Sequence, residues 1–248
     1  MQLPKLPRFI RRITTQCRSY LRYKKQRKEW LSGGGVITKN HIILEDYEDD
    51  AGIVKGHYFH QDLLVARLIF ENNPIRHVDV GSRIDGFVAH VACYREVEVV
   101  DIRPLEESEH KNIQFKQLDF TKKQKVQLTD SLSCLHSVEH FGLGRYSDPI
   151  DINGHITGIE NMVELIQKGG IFYISFPIGL SDEVHFNAHR VFHPRTIFNI
   201  PDIQRKMELI RFDFVDDNGN LHQDKDIDDA VGKFRYGCGI YTFRKILD

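Results

Sequence analysis

Apolar and polar positions fall into blocks along this chain, and the period changes from block to block. Within residues 55–72, Leu64, Val65, Leu68 and Ile69 recur at helical intervals, and the run Asn72, Asn73, Pro74 stops the pattern. A short apolar run over 77–80 follows and ends at Gly81; residues 87–94 then read as a helix, and 97–100 as a buried strand closed by Asp101. The pattern predicts a third strand over 113–118 ending in Asp119, a fourth over 132–138, a helix over 159–167 closed by Gly169 and Gly170, and a fifth strand over 171–176. Two late runs, 208–214 and 239–244, predict a pair of antiparallel neighbours. Strands separated by helical stretches imply an α/β fold: a Rossmann-like, mostly parallel sheet with helices on both faces.

Ahead of this alternation, Phe9, Ile10, Ile13, Cys17, Tyr20 and Leu21 sit at helical spacing among cations. The glycines of Ser32, Gly33, Gly34 and Gly35 make a hinge, so residues 1–35 read as an N-terminal extension and 36–248 as the catalytic domain. Charge sharpens the division. Residues 1–30 hold ten Lys or Arg, Lys5 among them, against Glu29 alone, a net of +9 that leaves −10 for the rest of a chain whose net charge is −1. Such a basic helix would suit an anionic membrane surface or a partner protein.

With 248 residues and 41% hydrophobic content, the chain can bury one substantial core. No apolar run approaches the roughly 20 residues that span a bilayer, and nothing resembles a signal peptide, so the expected location is cytoplasmic, with membrane association through the basic helix. Cys17, Cys93, Cys134 and Cys238 form no CxxC pair and read as reduced, structural thiols.

The chemistry concentrates at strand ends, where ligands bind in such sheets. In HVDVGSRIDG, residues 77–86, Gly81 lets the backbone approach a ligand and Asp79 offers an acceptor to an ammonium or hydroxyl group. Asp101 ends the second strand at the distance where an acid reaches ribose hydroxyls, and Asp119 ends the third, near the place of an adenine amino group. Three acids at three successive strand ends, with no GxxxxGK[ST], favour a ligand carrying an ammonium and a ribose over one carrying phosphates.

Asp79-Val80-Gly81-Ser82, with Asp101 and Asp119, resembles the cofactor motifs of class I S-adenosylmethionine-dependent methyltransferases. More specifically, VDVGSRIDGFVAH, VVDIRPL, SCLHSVEHFGLGRYSDPIDINGH and FNAHRVFHP are similar to the DUF268 family, proteins related to those methyltransferases. The resemblance implies a seven-stranded sheet. It implies the methionine part of the cofactor near Asp79 to Gly81, with Ser82 and Arg83 continuing the turn, the ribose on Asp101 beside Ile102, and adenine near Asp119 and Phe120. It also associates the chain with surface-polysaccharide synthesis. Arg83 and Asp85 stand where the common pattern has glycine, with glycine again at Gly86. That departure motivates a second reading, a catalytically silent binding or scaffold protein of the same fold.

Thirteen histidines cluster in the later blocks. His136, Glu139 and His140 follow the fourth strand, where the substrate side lies in these methyltransferases. His140 or His136 is the expected general base, with Glu139 orienting or accepting. A divalent cation held by some of His136, Glu139, His140, His185 and His189 is the lesser alternative, since the spacings match no HExxH motif. The loop over 142–155 supplies Arg145, Tyr146, Asp148 and His155, and with His185 and His189 these are the expected contacts to a hydroxyl-rich acceptor. O-methylation of a carbohydrate or surface-glycan precursor is the expected reaction. Nucleic acid is disfavoured because the catalytic part is acidic and no NPPY-like signature follows the fourth strand.

Overall fold

A computed structural model of the chain describes residues 8–123 and 127–248. It divides into two compact units, Met1–Ile53 and Val54–Asp248. In the first, helix α1 (Arg8–Ser32) carries the basic segment. The Gly35 amide donates to the Trp30 carbonyl at 2.9 Å, and the Trp30 indole donates to the Val36 carbonyl, so the glycine run closes the helix end. Tyr20 stacks on Tyr23, and Arg22 lies over the Tyr47 ring at 4.6 Å. Lys5 lies outside the described residues, as do the side chains of Phe9, Ile10 and Ile13 in the predicted apolar face. Among the described residues, no helix is long and apolar enough to cross a membrane.

In the second unit, α2 (His57–Asn72) leads into β1 (His77–Val80). A π-helical turn, Ile84–Val88, runs into the short α3 (Ala89–Ala92). Then come β2 (Val97–Asp101), β3 (Ile113–Gln117), β4 (Thr129–Leu135), α4 (Gly154–Leu165) and β5 (Ile166–Ile178). A small hairpin, β6 (Glu183–His185) and β7 (His189–Val191), stands apart from the main sheet. The chain closes with α5 (Pro201–Lys206), β8 (Met207–Val215), β9 (Leu221–His222) and β10 (Gly237–Lys245).

The main sheet runs β3-β2-β1-β4-β5-β10-β8-β9, parallel through the first five strands, with β10 inserted antiparallel between β5 and β8. Strand order reverses between β1 and β4, which opens a crevice at their carboxyl ends. The Rossmann-like sheet is as expected, but it has eight strands rather than seven. The extra one is the two-residue β9. Asp216 accepts from the amides of Asn218 and Asn220, turning the chain tightly enough to lay Leu221 and His222 back on β8.

Both faces are covered. On one, Leu64, Val65 and Ile69 of α2 pack with Phe87, Val91, Val99 and Ile240; on the other, Ile159, Met162 and Val163 of α4 pack with Val78, Leu132, Phe172 and Phe243. The predicted helix over 159–167 starts earlier and stops at Leu165. Gly169 and Gly170 do not cap it but lie inside β5, where the pairing with β4 shifts register between Thr129 and Ser131.

Candidate functional site

The turn after β1 is braced from below. Asp79 is fully buried, and its carboxylate accepts from the Ser82 amide (3.1 Å), the Ser82 hydroxyl (2.6 Å) and the Ser133 hydroxyl (2.6 Å). Ser133 is its register partner on β4, and Ser82 Oγ also accepts from the Leu135 amide, so these groups tie β1 to β4 across the crevice. Burial raises the Asp79 carboxyl to about 6 against its hydroxyl donors. Asp79 and Ser82 therefore brace the turn through three internal hydrogen bonds. Gly81 takes φ +72°, its amide donates to the Val100 carbonyl, and a Cβ there would stand 2.1 Å from Ser137 Oγ. Arg83 pairs with Asp85 and lies over Tyr58 on the outer rim, outside the crevice. The two departures from the glycine pattern line a neighbouring pocket that also includes Asp101 and Arg103.

Above Gly81 opens a cleft, partly open to solvent. Its walls include Gly81, Asp101, Ile102, Arg103, Leu118, Asp119, Phe120, His136, His140 and Tyr146. Asp101 receives Arg103 through its amide (2.8 Å), Nε (3.0 Å) and Nη2 (2.5 Å), and the same guanidinium lies 4.4 Å over the Tyr146 ring. Asp119 accepts from the Thr121 amide and hydroxyl and pairs with Lys122, while Phe120 supplies an apolar wall. Thr121 and Lys122 hold the Asp119 carboxyl below the usual range against the opposing effect of burial.

The block after β4 forms a relay of imidazoles around one carboxylate. His136 sits at φ +48°, where its Nδ1 meets Glu139 Oε1 at 2.8 Å. Burial works against its charge, but Cys238 and Glu139 raise it well above the ordinary imidazole range. His140 places Nδ1 2.7 Å from the Ala188 carbonyl, which makes Nδ1 the protonated nitrogen and leaves Nε2 as a lone pair 3.8 Å from Glu139. Burial lowers the His140 pKa, so the ring is neutral near pH 7.

The 142–155 stretch is tied down rather than loose. Asp148 accepts from the amides of Gly142 (2.7 Å) and Tyr146 (3.1 Å), so this cleft residue serves as a loop brace. Arg145 donates to the same Ala188 carbonyl that holds His140. His189 lies 6.5 Å from His140 between ring centroids, whereas His185 is exposed on the hairpin and bonded to Glu183. His155 is not brought to the cleft. It lines a separate apolar pocket with Ile159, Phe192 and Ile197, because α4 begins at Gly154 and turns its ring to the opposite side.

Three groups at the site escaped the sequence reading. Buried Arg190 donates to the Phe141 carbonyl at 2.7 Å and reaches those of Glu139 and Ile152, clamping the loop. Arg103, two residues past a strand-ending Asp, carried the signal of a local turn. His57 stacks on His136 at 5.3 Å and on Tyr236 at 5.5 Å, a meeting of distant segments that no local pattern announces.

Solved structures share this architecture. The N-methyltransferase NodS from Bradyrhizobium japonicum WM9, in complex with S-adenosyl-L-homocysteine, aligns at TM-score 0.53 and 14% identity over 77% of this chain and 88% of its own. An S-adenosylmethionine-dependent methyltransferase from Clostridium acetobutylicum ATCC 824 aligns at 0.53 and 13%, over 82% and 95%. The O-methyltransferase of a trans-AT PKS multienzyme from Brevibacillus brevis, also with S-adenosyl-L-homocysteine, aligns at 0.53 and 10%, over 75% and 72%. These likenesses establish the class I methyltransferase fold. No curated protein matches the chain. The model of DUF268, described as "Caenorhabditis protein of unknown function", matches residues 90–224, more than half of the sequence, and the chain belongs to that family.

Proposed function

We propose that this chain is an S-adenosylmethionine-dependent methyltransferase acting on a hydroxyl oxygen, with a carbohydrate or surface-glycan precursor as acceptor. The observation that carries the reading is His140: a neutral imidazole in the cleft wall, its Nδ1 engaged by the Ala188 carbonyl and its Nε2 free to take a proton.

The cleft fits the cofactor on observations of its own. Gly81 lines the cleft, and its lack of a side chain lets Ser137 pack against the turn that would meet the methionine part. Asp101 offers two oxygens for the ribose, and Ile102, Leu118 and Phe120 make the apolar wall that adenine requires beside Asp119. The cofactor supplies a methyl group made electrophilic by its sulfonium. His140 Nε2 would take the proton of an acceptor hydroxyl as the methyl group leaves the sulfonium and S-adenosylhomocysteine is released, and the buried Glu139 carboxylate, 3.8 Å away, would stabilise the imidazolium. Tyr146 and Arg145 give the rim the flat and cationic surfaces that suit a sugar, with His189 beside them. The basic α1 would hold the enzyme near an anionic membrane or a partner protein.

One observation favours a second reading, that of a silent scaffold. Arg103 already occupies both Asp101 oxygens, where the ribose would bind. Calorimetric titration with S-adenosylhomocysteine, followed by methyl transfer to a panel of sugar and amine acceptors, separates the two. Micromolar binding and turnover on a hydroxyl support the enzyme. Binding without turnover on any acceptor supports the scaffold, and no binding overturns both.

A further inference from the structure

Three elements far apart in sequence converge behind the cleft. His57 opens α2, His136 follows β4 and Cys238 lies in β10, yet one ligand atom from each falls within 4.8 Å of the other two. His136 gives Nδ1 to Glu139, and its buried side chain, only 4% exposed, also interacts with Cys238. Cys238 is fully buried, and besides its interaction with His136 its sulfur makes long contacts, 3.7 Å, to Gln61 Oε1 and the Gly239 carbonyl. His57 stacks on His136 with ring centroids 5.3 Å apart.

We propose that His57, His136 and Cys238 form a zinc site with an open fourth position on the cleft side. Two imidazoles and a thiolate suit zinc, whereas magnesium and calcium call for oxygen ligands. Glu139 behind His136 completes the carboxylate–histidine–metal arrangement that fixes the ring and raises its basicity. Metal–ligand bonds of about 2.0–2.3 Å in a tetrahedron set ligand atoms roughly 3.3–3.8 Å apart, so the triad need close by only about an ångström. Binding expels two protons to solvent, the Cys238 thiol proton and the proton on His136 Nε2, whose ring Glu139 and Cys238 otherwise hold charged.

Because His136 also lines the cleft, an acceptor oxygen or sulfur can take the fourth position and lose its proton more readily there. This last step rests on the methyl-transfer reading; metal binding does not.

The test is metal analysis of the purified full chain, then chelation and reloading with cobalt(II). About one zinc per chain is expected, and cobalt should show a thiolate charge-transfer band. His57→Ala and Cys238→Ala should each lose the zinc and the band, while His189→Ala keeps both. Circular dichroism reports folding, and His57→Ala stands in should the buried Cys238→Ala variant not fold. An absence of both zinc and the cobalt band overturns the site. So does full zinc retention in His57→Ala. S-adenosylhomocysteine titration of the chelated sample separates the two claims: cofactor binding without metal sinks only the site, and metal without cofactor sinks only the methyltransferase.

Discussion

Arg103 folds back on Asp101, two residues before it, and grips both carboxylate oxygens while its guanidinium covers the Tyr146 ring. The pair sits where ribose hydroxyls would compete. Arg103 is 46% exposed, and a pair of that kind contributes only about 0.2–1 kcal/mol. Hydrogen bonds from ribose to a carboxylate contribute about 1.5–3 kcal/mol, so the ribose should win. Asp101→Ala is expected to weaken S-adenosylhomocysteine binding by about 10–100-fold, and Arg103→Ala to tighten it by about 2–5-fold. Calorimetry on both variants decides; weaker binding in Arg103→Ala would make that guanidinium a ligand contact instead.

His140→Ala should retain cofactor affinity and lose about 10²–10⁴-fold in kcat. Burial holds the His140 pKa below 6.5, and the neutral ring is the active form. The rate should therefore rise with pH through a value below 6.5 and stay level above it. A pH–rate profile that is flat across that range would remove His140 from the role.

Asp79 acts on stability. Truncation to alanine leaves the buried Ser82 and Ser133 hydroxyls without their acceptor, a loss on the order of 2–4 kcal/mol. Urea unfolding of Asp79→Ala should show a lower midpoint with an unchanged slope. An unaltered midpoint with cofactor binding abolished would make Asp79 a ligand contact instead.

His77 predicts acid sensitivity. Fully buried between the hydroxyls of Ser131 (2.8 Å) and Ser133 (3.1 Å), its pKa falls to about 3, first through burial and then through Arg95. A folded-state pKa below the usual 6.5 means that unfolding takes up a proton, so its contribution is whole above about 6.5 and is lost as pH falls toward 3. The slope approaches about 1.4 kcal/mol per pH unit. His57 and His155, each near 4, add to it, while Asp62 and Asp79, raised to about 6, oppose it. Unfolding midpoints of His77→Asn between pH 7 and 4 should depend less on pH than those of the parent; parallel curves would count against His77.

The sequence by itself determined the strand-and-helix alternation, the glycine turn and the acids at the ends of β1, β2 and β3. Each of these is a local property: burial period, backbone freedom or chain reversal leaves its mark within a few residues. Even so, the limits of α4 and β5 shifted, because Gly169 and Gly170 serve as well inside a bulged strand as at a helix end. Only the tertiary structure decided what each side chain does. Asp79 and Asp101 look alike as strand-ending acids, yet strand order and register set Ser133 opposite the first, while the second opens onto the cleft. His155, a few residues beyond Tyr146, turns away because α4 starts before it. His57, His136 and Cys238 meet because β10 inserts next to β5 and α2 packs across the sheet. Such contacts join residues 79 to 181 positions apart, and no local window along the chain contains both partners.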